Sequence, residues 1–192
     1  MELTYHGDTT LKVTGKKATV LLNPKTKNSS LTADLVISNL PDDQLAVPNG
    51  ITKIFSWPGE YEANEVPIQG LDIRRKDGSL NTVFFFTVDG IHLCHLGNID
   101  TTLQKEELNT IGDVDILMIN IGDDLELSTK DAIELIESIE PRILLFMGHN
   151  YEQSPVLKEL ELTNIEKKDK FTLKDTSELP ESDRLDIALN AV

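Results

Sequence analysis

Two short runs constrain this chain more than any other feature: Val114-Asp115-Ile116-Leu117-Met118-Ile119-Asn120-Ile121 and Ile143-Leu144-Leu145-Phe146-Met147. Each is nearly continuous in apolar residues over the length of a strand. A strand with one wet face alternates apolar and polar, because successive side chains point to opposite sides; one covered on both faces does not. Spanning a bilayer takes about 20 apolar residues in a helix, so neither run can be a membrane segment. Both are expected as inner strands of a covered sheet. Between them Ser128 and Asp131 stand at capping distance, and Ala132, Ile133, Leu135, Ile136 and Ile139 fall on one helical face that Pro141 terminates.

The rest of the chain fits around that strand–helix–strand unit. Leu3 and Tyr5, then Leu11 and Val13, then Ala18, Val20 and Leu22 alternate like paired strands, with a turn at Gly15-Lys16-Lys17 and a stop at Asn23-Pro24. Residues 25 to 33 are polar and read as a loop before the short strand at residues 34 to 37. Lys53 to Ser56 reads as a strand ending in a Trp57-Pro58-Gly59-Glu60 turn, and Val66 to Ile73 as another. Val83 to Val88, Asp89-Gly90 and Ile91 to Leu96 form the clearest hairpin signal. After Gly97 the period becomes helical, with Leu103, Glu107, Leu108 and Ile111 on one face and Thr101 with Gln104 as a capping box. A weaker helix follows Pro155, and Leu185 to Leu189 reads as a last strand. Strands first, then alternating strand and helix, specify an α/β class and, without linker or repeat, one domain over residues 1–192.

At 192 residues with a net charge of −15, the chain lacks the basic stripe that a nucleic-acid binder needs. Nucleic acid and membrane are therefore not expected as partners. Met1 runs into strand pattern without a basic-then-apolar leader, and Cys94 is the single cysteine. Both observations lead to the expectation of a cytoplasmic protein with neither disulfide nor thiolate-built zinc site.

Chemistry must come from few residues. His92 and His95 are three apart on a strand and face opposite sides. His149 follows a buried strand at the end where α/β folds place their sites. Asp42 and Asp43, with Asn39 and Gln44, follow another strand; they suit a hard cation such as Mg²⁺, Mn²⁺ or Ca²⁺, but spacing alone favours a turn or helix cap. Asp123-Asp124 offers the same choice. The chain carries no phosphate-binding glycine loop and no nucleophile elbow, and Cys94 reads as a buried thiol.

The segments "LTYHGDTTLKV", "ADLVISNLPDDQ", "PGEYEANEVPIQG", "NTVFFFTVDGIHLCHLGN", "GDVDILMINIG" and "EPRILLFMGH" resemble, in kind and order, small metallo-β-lactamase-fold proteins of the Zn-dependent hydrolase group. The likeness covers residues 1 to 190, and Pro58-Gly59-Glu60-Tyr61-Glu62, His95-Leu96-Gly97 and Gly112-Asp113-Val114-Asp115 are its most specific parts. It implies an αββα sandwich of two mixed sheets with outer helices and a metal site at one sheet edge. The family holds its metals with a loop reading H-x-H-x-D-H. Here Asn39 stands at the first histidine, Pro41 at the second, Asp43 at the aspartate and Gln44 at the last histidine. Asn98 replaces the bridging aspartate, no histidine occurs from Leu71 to Arg75, Gly148 occupies the final histidine position with His149 one residue later, and Gly7-Asp8-Thr9 replaces G-H-S.

The resemblance therefore implies a metallo-β-lactamase-fold protein with a degenerate metal site, without catalytic residues or cofactor, that serves binding or assembly. A homo-oligomer or a protein partner would fit that role. Asp8, Asn39, Asp42, Asp43, Asn98 and His149 are the candidates for the vestigial pocket. The alternative is a hydrolase with a rebuilt carboxylate, amide and histidine site, holding Mn or Mg in place of the di-zinc (Zn) centre.

Overall fold

The chain opens as an antiparallel meander: β1 (Glu2–Tyr5) pairs with β2 (Leu11–Thr14), and β2 with β3 (Thr19–Leu22). The expected turn joins the last two, with Gly15 N–H donating to the Ala18 carbonyl at 2.9 Å. β4 (Leu35–Ile37) and β5 (Ile54–Phe55) then add in parallel, and the late strand β13 (Phe171–Thr172) covers the free side of β1. This computed structural model describes residues 1–25 and 30–192; residues 26–29 of the expected polar loop lie outside the described residues.

A second mixed sheet faces the first. β6 (Gly59–Ala63), β7 (Val66–Arg74), β8 (Leu80–Val88) and β9 (Ile91–His95) are antiparallel neighbours. β10 (Ile116–Asn120), β11 (Ile143–Met147), β14 (Leu185–Leu189) and the edge strand β12 (Lys167–Lys168) continue it in parallel. The β8–β9 hairpin turns on Asp89 and Gly90 at φ 53° and 79°, the paired left-handed conformation that matches strand twist. Every residue of β10 and β11 is buried, which is why neither alternates.

Leu3, Val13, Val20, Leu35 and Ile37 of the first sheet join Ile68, Phe84, Phe86 and Leu93 of the second in one buried cluster. Each such side chain contributes about 1.5–3 kcal/mol on leaving water. α1 (Lys105–Ile111), α2 (Thr129–Ile139) and α3 (Pro155–Glu159) supply the helical layers. Ser128 caps α2 by accepting from Asp131 N–H at 3.1 Å, and Ala132, Leu135, Ile136 and Ile139 are its buried face. The result is an αββα sandwich. Among the described residues no helix is long and apolar enough to cross a membrane.

Two local expectations are corrected. The capping box of α1 is Gln104 with Glu107, whose carboxylate accepts from Gln104 N–H at 2.6 Å, so the helix starts a turn later than Thr101. And Trp57-Pro58-Gly59-Glu60, expected as a turn, is bent only at Trp57 and Pro58: it carries the chain from one sheet to the other, and Gly59 and Glu60 already begin β6. The hairpin turn lies further on at Asn64-Glu65, φ 52° and 61°, so β6 was hidden behind an apparent turn.

Candidate functional site

β9, β10 and β11 run parallel and finish on one edge of their sheet, and β4 finishes near them on the other. Residues at or just past the ends of β4, β9 and β10 border a cavity of about 610 Å³, a volume ordinary for a small-molecule site. Asparagine dominates its polar wall: Asn23 follows β3, Asn39 follows β4, Asn81 lies in β8, Asn98 follows β9 and Asn120 ends β10.

These amides bind mostly one another and the backbone. Asn23 and Asn39 form a reciprocal pair, with Asn23 Nδ2 donating to Asn39 Oδ1 at 2.7 Å and Asn39 N–H to Asn23 Oδ1 at 3.0 Å. Asn39 Nδ2 in turn donates to the Thr82 carbonyl at 3.3 Å and to His95 Nδ1 at 2.9 Å. Asn81 Nδ2 donates to the Leu96 carbonyl at 2.8 Å, and its Oδ1 accepts from Asn98 N–H at 3.0 Å. Asn120 Oδ1 accepts from Gly122 N–H at 3.0 Å. The network ties the loops after β3, β4 and β9 to β8. Gly97 closes it: at φ 69°, any Cβ there would lie 2.4 Å from Asn81 Oδ1 and 2.5 Å from Asn39 Nδ2.

His95 sits at the network's centre, 3 % exposed. Its Nδ1 also accepts from Gly97 N–H at 3.0 Å, so the ring hydrogen belongs on Nε2, which is buried and has no hydrogen-bond partner among the described residues. Burial pushes its pKa down to about 4, and the imidazole is neutral at physiological pH. Three further unpartnered buried atoms, Arg75 Nε, Asn98 Oδ1 and Asp100 Oδ1, lie close together, since Arg75 Nε is 3.9 Å from Asp100 Oδ2 and Arg75 and Asn98 both bind Glu126.

The candidates named from sequence divide. Asn39, Asp42 and Asn98 border the cavity. Asp43 is exposed, because the Pro41 carbonyl accepts from Gln44 and Leu45 N–H at 2.9 and 3.1 Å and winds the acidic pair into a tight turn. Asp8 and His149 are outside the cavity lining and meet each other, with His149 Nδ1 3.6 Å from Asp8 Oδ1. The cause is the β1–β2 loop docking on the end of β11: Gly148 N–H donates to the Asp8 carbonyl at 2.7 Å, and so does the Tyr5 hydroxyl at 2.7 Å. Of the second acidic pair, Asp124 reaches the cavity while Asp123 accepts from Asn150 Nδ2 at 2.7 Å. Cys94 is fully buried and pushed up to about 12, which keeps it a thiol. Sequence reasoning missed Asn23, Trp57, Arg75, Asn81, Asn120 and Glu126. A signal existed for two of them, since Asn23 and Asn120 each mark the end of a strand, as Asn39 and Asn98 do.

A zinc centre does not fit these residues. It needs about three or four imidazole, thiolate or carboxylate ligands at about 2 Å. Among the described residues no three His, Cys, Asp or Glu side chains are placed to hold a metal ion. The His95 lone pair already faces two donors, neutral amides are weak zinc ligands, and Pro41 offers no side-chain donor at all.

An αββα sandwich with its cavity at the ends of β4, β9 and β10 is the architecture of metal-dependent hydrolases built on two facing sheets. Residues 2–148 match the family described as a β-lactamase superfamily domain, and the chain belongs to the metallo-β-lactamase superfamily. It is similar to a proposed Zn-dependent hydrolase of that superfamily from Thermotoga maritima, with 24% identity, a TM-score of 0.82, and 98% and 97% of the two chains covered. A proposed metal-dependent hydrolase from Parabacteroides distasonis shares 13% identity at a TM-score of 0.69, over 99% of this chain and 92% of that one. The isothiocyanate hydrolase from Delia radicum gut bacteria shares 13% at 0.64, over 90% and 99%. At these identities the likeness speaks to the fold alone. No curated protein matches the chain.

Proposed function

We infer that this chain is a metallo-β-lactamase-fold protein whose di-metal hydrolase site is degenerate, and that its cavity serves binding or assembly in place of hydrolysis. One observation carries the reading. Asn39, standing where the family's first ligand is expected, has its amide engaged by Asn23, Thr82 and His95. A hydrogen-bonded network thus does mechanically what a metal would do, tying several loops at one sheet edge, and it leaves no free imidazole there. Without a metal, nothing at this edge brings the pKa of a water near neutrality, the step by which such enzymes make their nucleophile. The charge of −15 favours a partner other than nucleic acid.

A rebuilt site for Mn or Mg is the second reading: Asp42, Asp72, Asp124 and Glu126 border the cavity, although among the described residues no three such side chains are grouped to hold an ion. Thermal unfolding with Zn²⁺, Mn²⁺, Mg²⁺ or a chelator separates the two, because an ion that binds only the folded chain must raise its melting temperature. The degenerate-site reading expects one melting temperature throughout. A saturable rise with zinc, or a fall in chelator, overturns it; a rise confined to manganese or magnesium favours the rebuilt site.

A further inference from the structure

Trp57 is the chain's only tryptophan, borders the cavity and is 70% exposed. Large aromatic rings are rarely left so open. Its position is held: the Tyr61 hydroxyl lies 3.1 Å from the carbonyls of both Trp57 and Pro58, and the Tyr61 ring packs on Phe55 with centroids 5.0 Å apart. A fixed backbone beneath an open indole face makes a stacking platform. Leu80, 57% exposed, adds a second apolar surface to the same rim.

The polar wall sets what can lie on that platform. Four carboxylates border the cavity against two basic side chains, Lys25 and Arg75, on a chain of charge −15. Neither base is open to clamp an anion: Arg75 pairs with Glu126, and Lys25 Nζ lies 3.6 Å from Asp8. Phosphate and carboxylate ligands are therefore repelled. A quaternary cation is bound by a cage of rings, and Trp57 is alone. Three of the carboxylates accept from neutral donors, with Thr82 Oγ1 donating to Asp72 at 3.2 Å, Asn120 Nδ2 to Asp124 at 3.2 Å and Asn98 Nδ2 to Glu126 at 3.1 Å, and Glu126 also takes the Arg75 guanidinium. Each keeps acceptor capacity for a further hydroxyl, since a carboxylate offers about four lone-pair sites.

Oriented acceptors, a fixed aromatic face and, among the described residues of the cavity wall, no cation without a carboxylate partner match one ligand chemistry. We propose that this cavity binds a neutral polyhydroxylated ring, a mono- or disaccharide, with its C–H face on Trp57 and its hydroxyls on Asp72, Asp124 and Glu126. The inference rests on reading the cavity as a binding site without metal. The lone tryptophan makes the test direct. Intrinsic fluorescence is titrated with glucose, galactose, N-acetylglucosamine and maltose, with inorganic phosphate and choline as the charged probes. The expected result is a saturable change with at least one sugar and none with phosphate or choline. Calorimetry with the same sugar should then show binding weakened about tenfold in Trp57→Ala and in Asp72→Asn, each variant first shown folded by circular dichroism. Response to phosphate or choline without a sugar response overturns the proposal, as does silence across the panel or unchanged affinity in both variants. Sugar binding by protein that also carries stoichiometric zinc would leave this proposal standing and remove the metal-free reading beneath it.

Discussion

Truncating Asn39 to alanine should loosen several loops at once. The substitution removes the acceptor for Asn23 Nδ2 at 2.7 Å and the donors to His95 Nδ1 at 2.9 Å and to the Thr82 carbonyl at 3.3 Å. A typical intramolecular hydrogen bond contributes about 0.5–1.5 kcal/mol, and a buried partner left alone costs about 1–3 kcal/mol. Asn23 is 2% exposed and Thr82 9%, so water does not readily replace Asn39 for either. The longest bond contributes least, and the three together come to about 3 kcal/mol. Equilibrium urea unfolding at pH 7.5, followed by circular dichroism, reads this as a shift in midpoint at constant slope. The loss should be the same in chelator as without it, because the cross-link is made of amides. A loss under about 0.5 kcal/mol, the level of an ordinary surface change, would refute the claim that this network holds the site together. So would a loss that disappears in chelator.

Other outcomes follow from the same geometry. His95 is held neutral down to about pH 4 in the fold but takes a proton near pH 6.5 once unfolded. The unfolded chain therefore binds more protons between those values, and stability must fall as pH drops from 6.5 towards 4. At about 1.36 kcal/mol per pH unit the full interval is worth about 3 kcal/mol; His95→Gln should flatten that part of a stability–pH curve, and an unchanged slope would contradict it. Gly97→Ala should cost about 2 kcal/mol or more in urea unfolding, since φ is 69° and the new Cβ would meet Asn81 and Asn39; wild-type stability would show that the strand end is free to adjust. His149→Ala removes a side chain that is 66% exposed and a contact to Asp8 Oδ1 at 3.6 Å, so stability should change by less than about 1 kcal/mol, and the sugar titration should not move. A larger effect would place His149 in the site.

Much of the fold was legible because the decisive signals are local. β10 and β11 could be read from apolar runs, the β8–β9 hairpin from Asp89-Gly90, and the N-terminus of α2 from Ser128 and Asp131. β6 was not, because Asn64-Glu65 is an uncommon hairpin dipeptide and Pro58-Gly59 nearby looks like a better turn. The site was half legible. Asn39 and Asp42 were legible from their place after a strand end and Asn98 from the family resemblance, but Asp43 and His149 also follow strands, and Asp8 also came from the resemblance, without bordering the cavity. Adjacency in sequence does not set direction: Asp42 borders the cavity and Asp43 does not, because both lie inside the turn that the Pro41 carbonyl closes on Gln44 and Leu45. Arg75, Asn81 and Trp57 reach the cavity only through pairing of β7 with β8 and the crossover between sheets, and that information is non-local.

The central claim is that amides, not a metal, organise this sheet edge. Elemental analysis of protein purified without added metal or chelator tests it most directly. The account predicts zinc, iron and manganese far below one equivalent per chain, with the protein folded; a full equivalent or more of any of them, retained through dialysis and lost with stability in chelator, would contradict it.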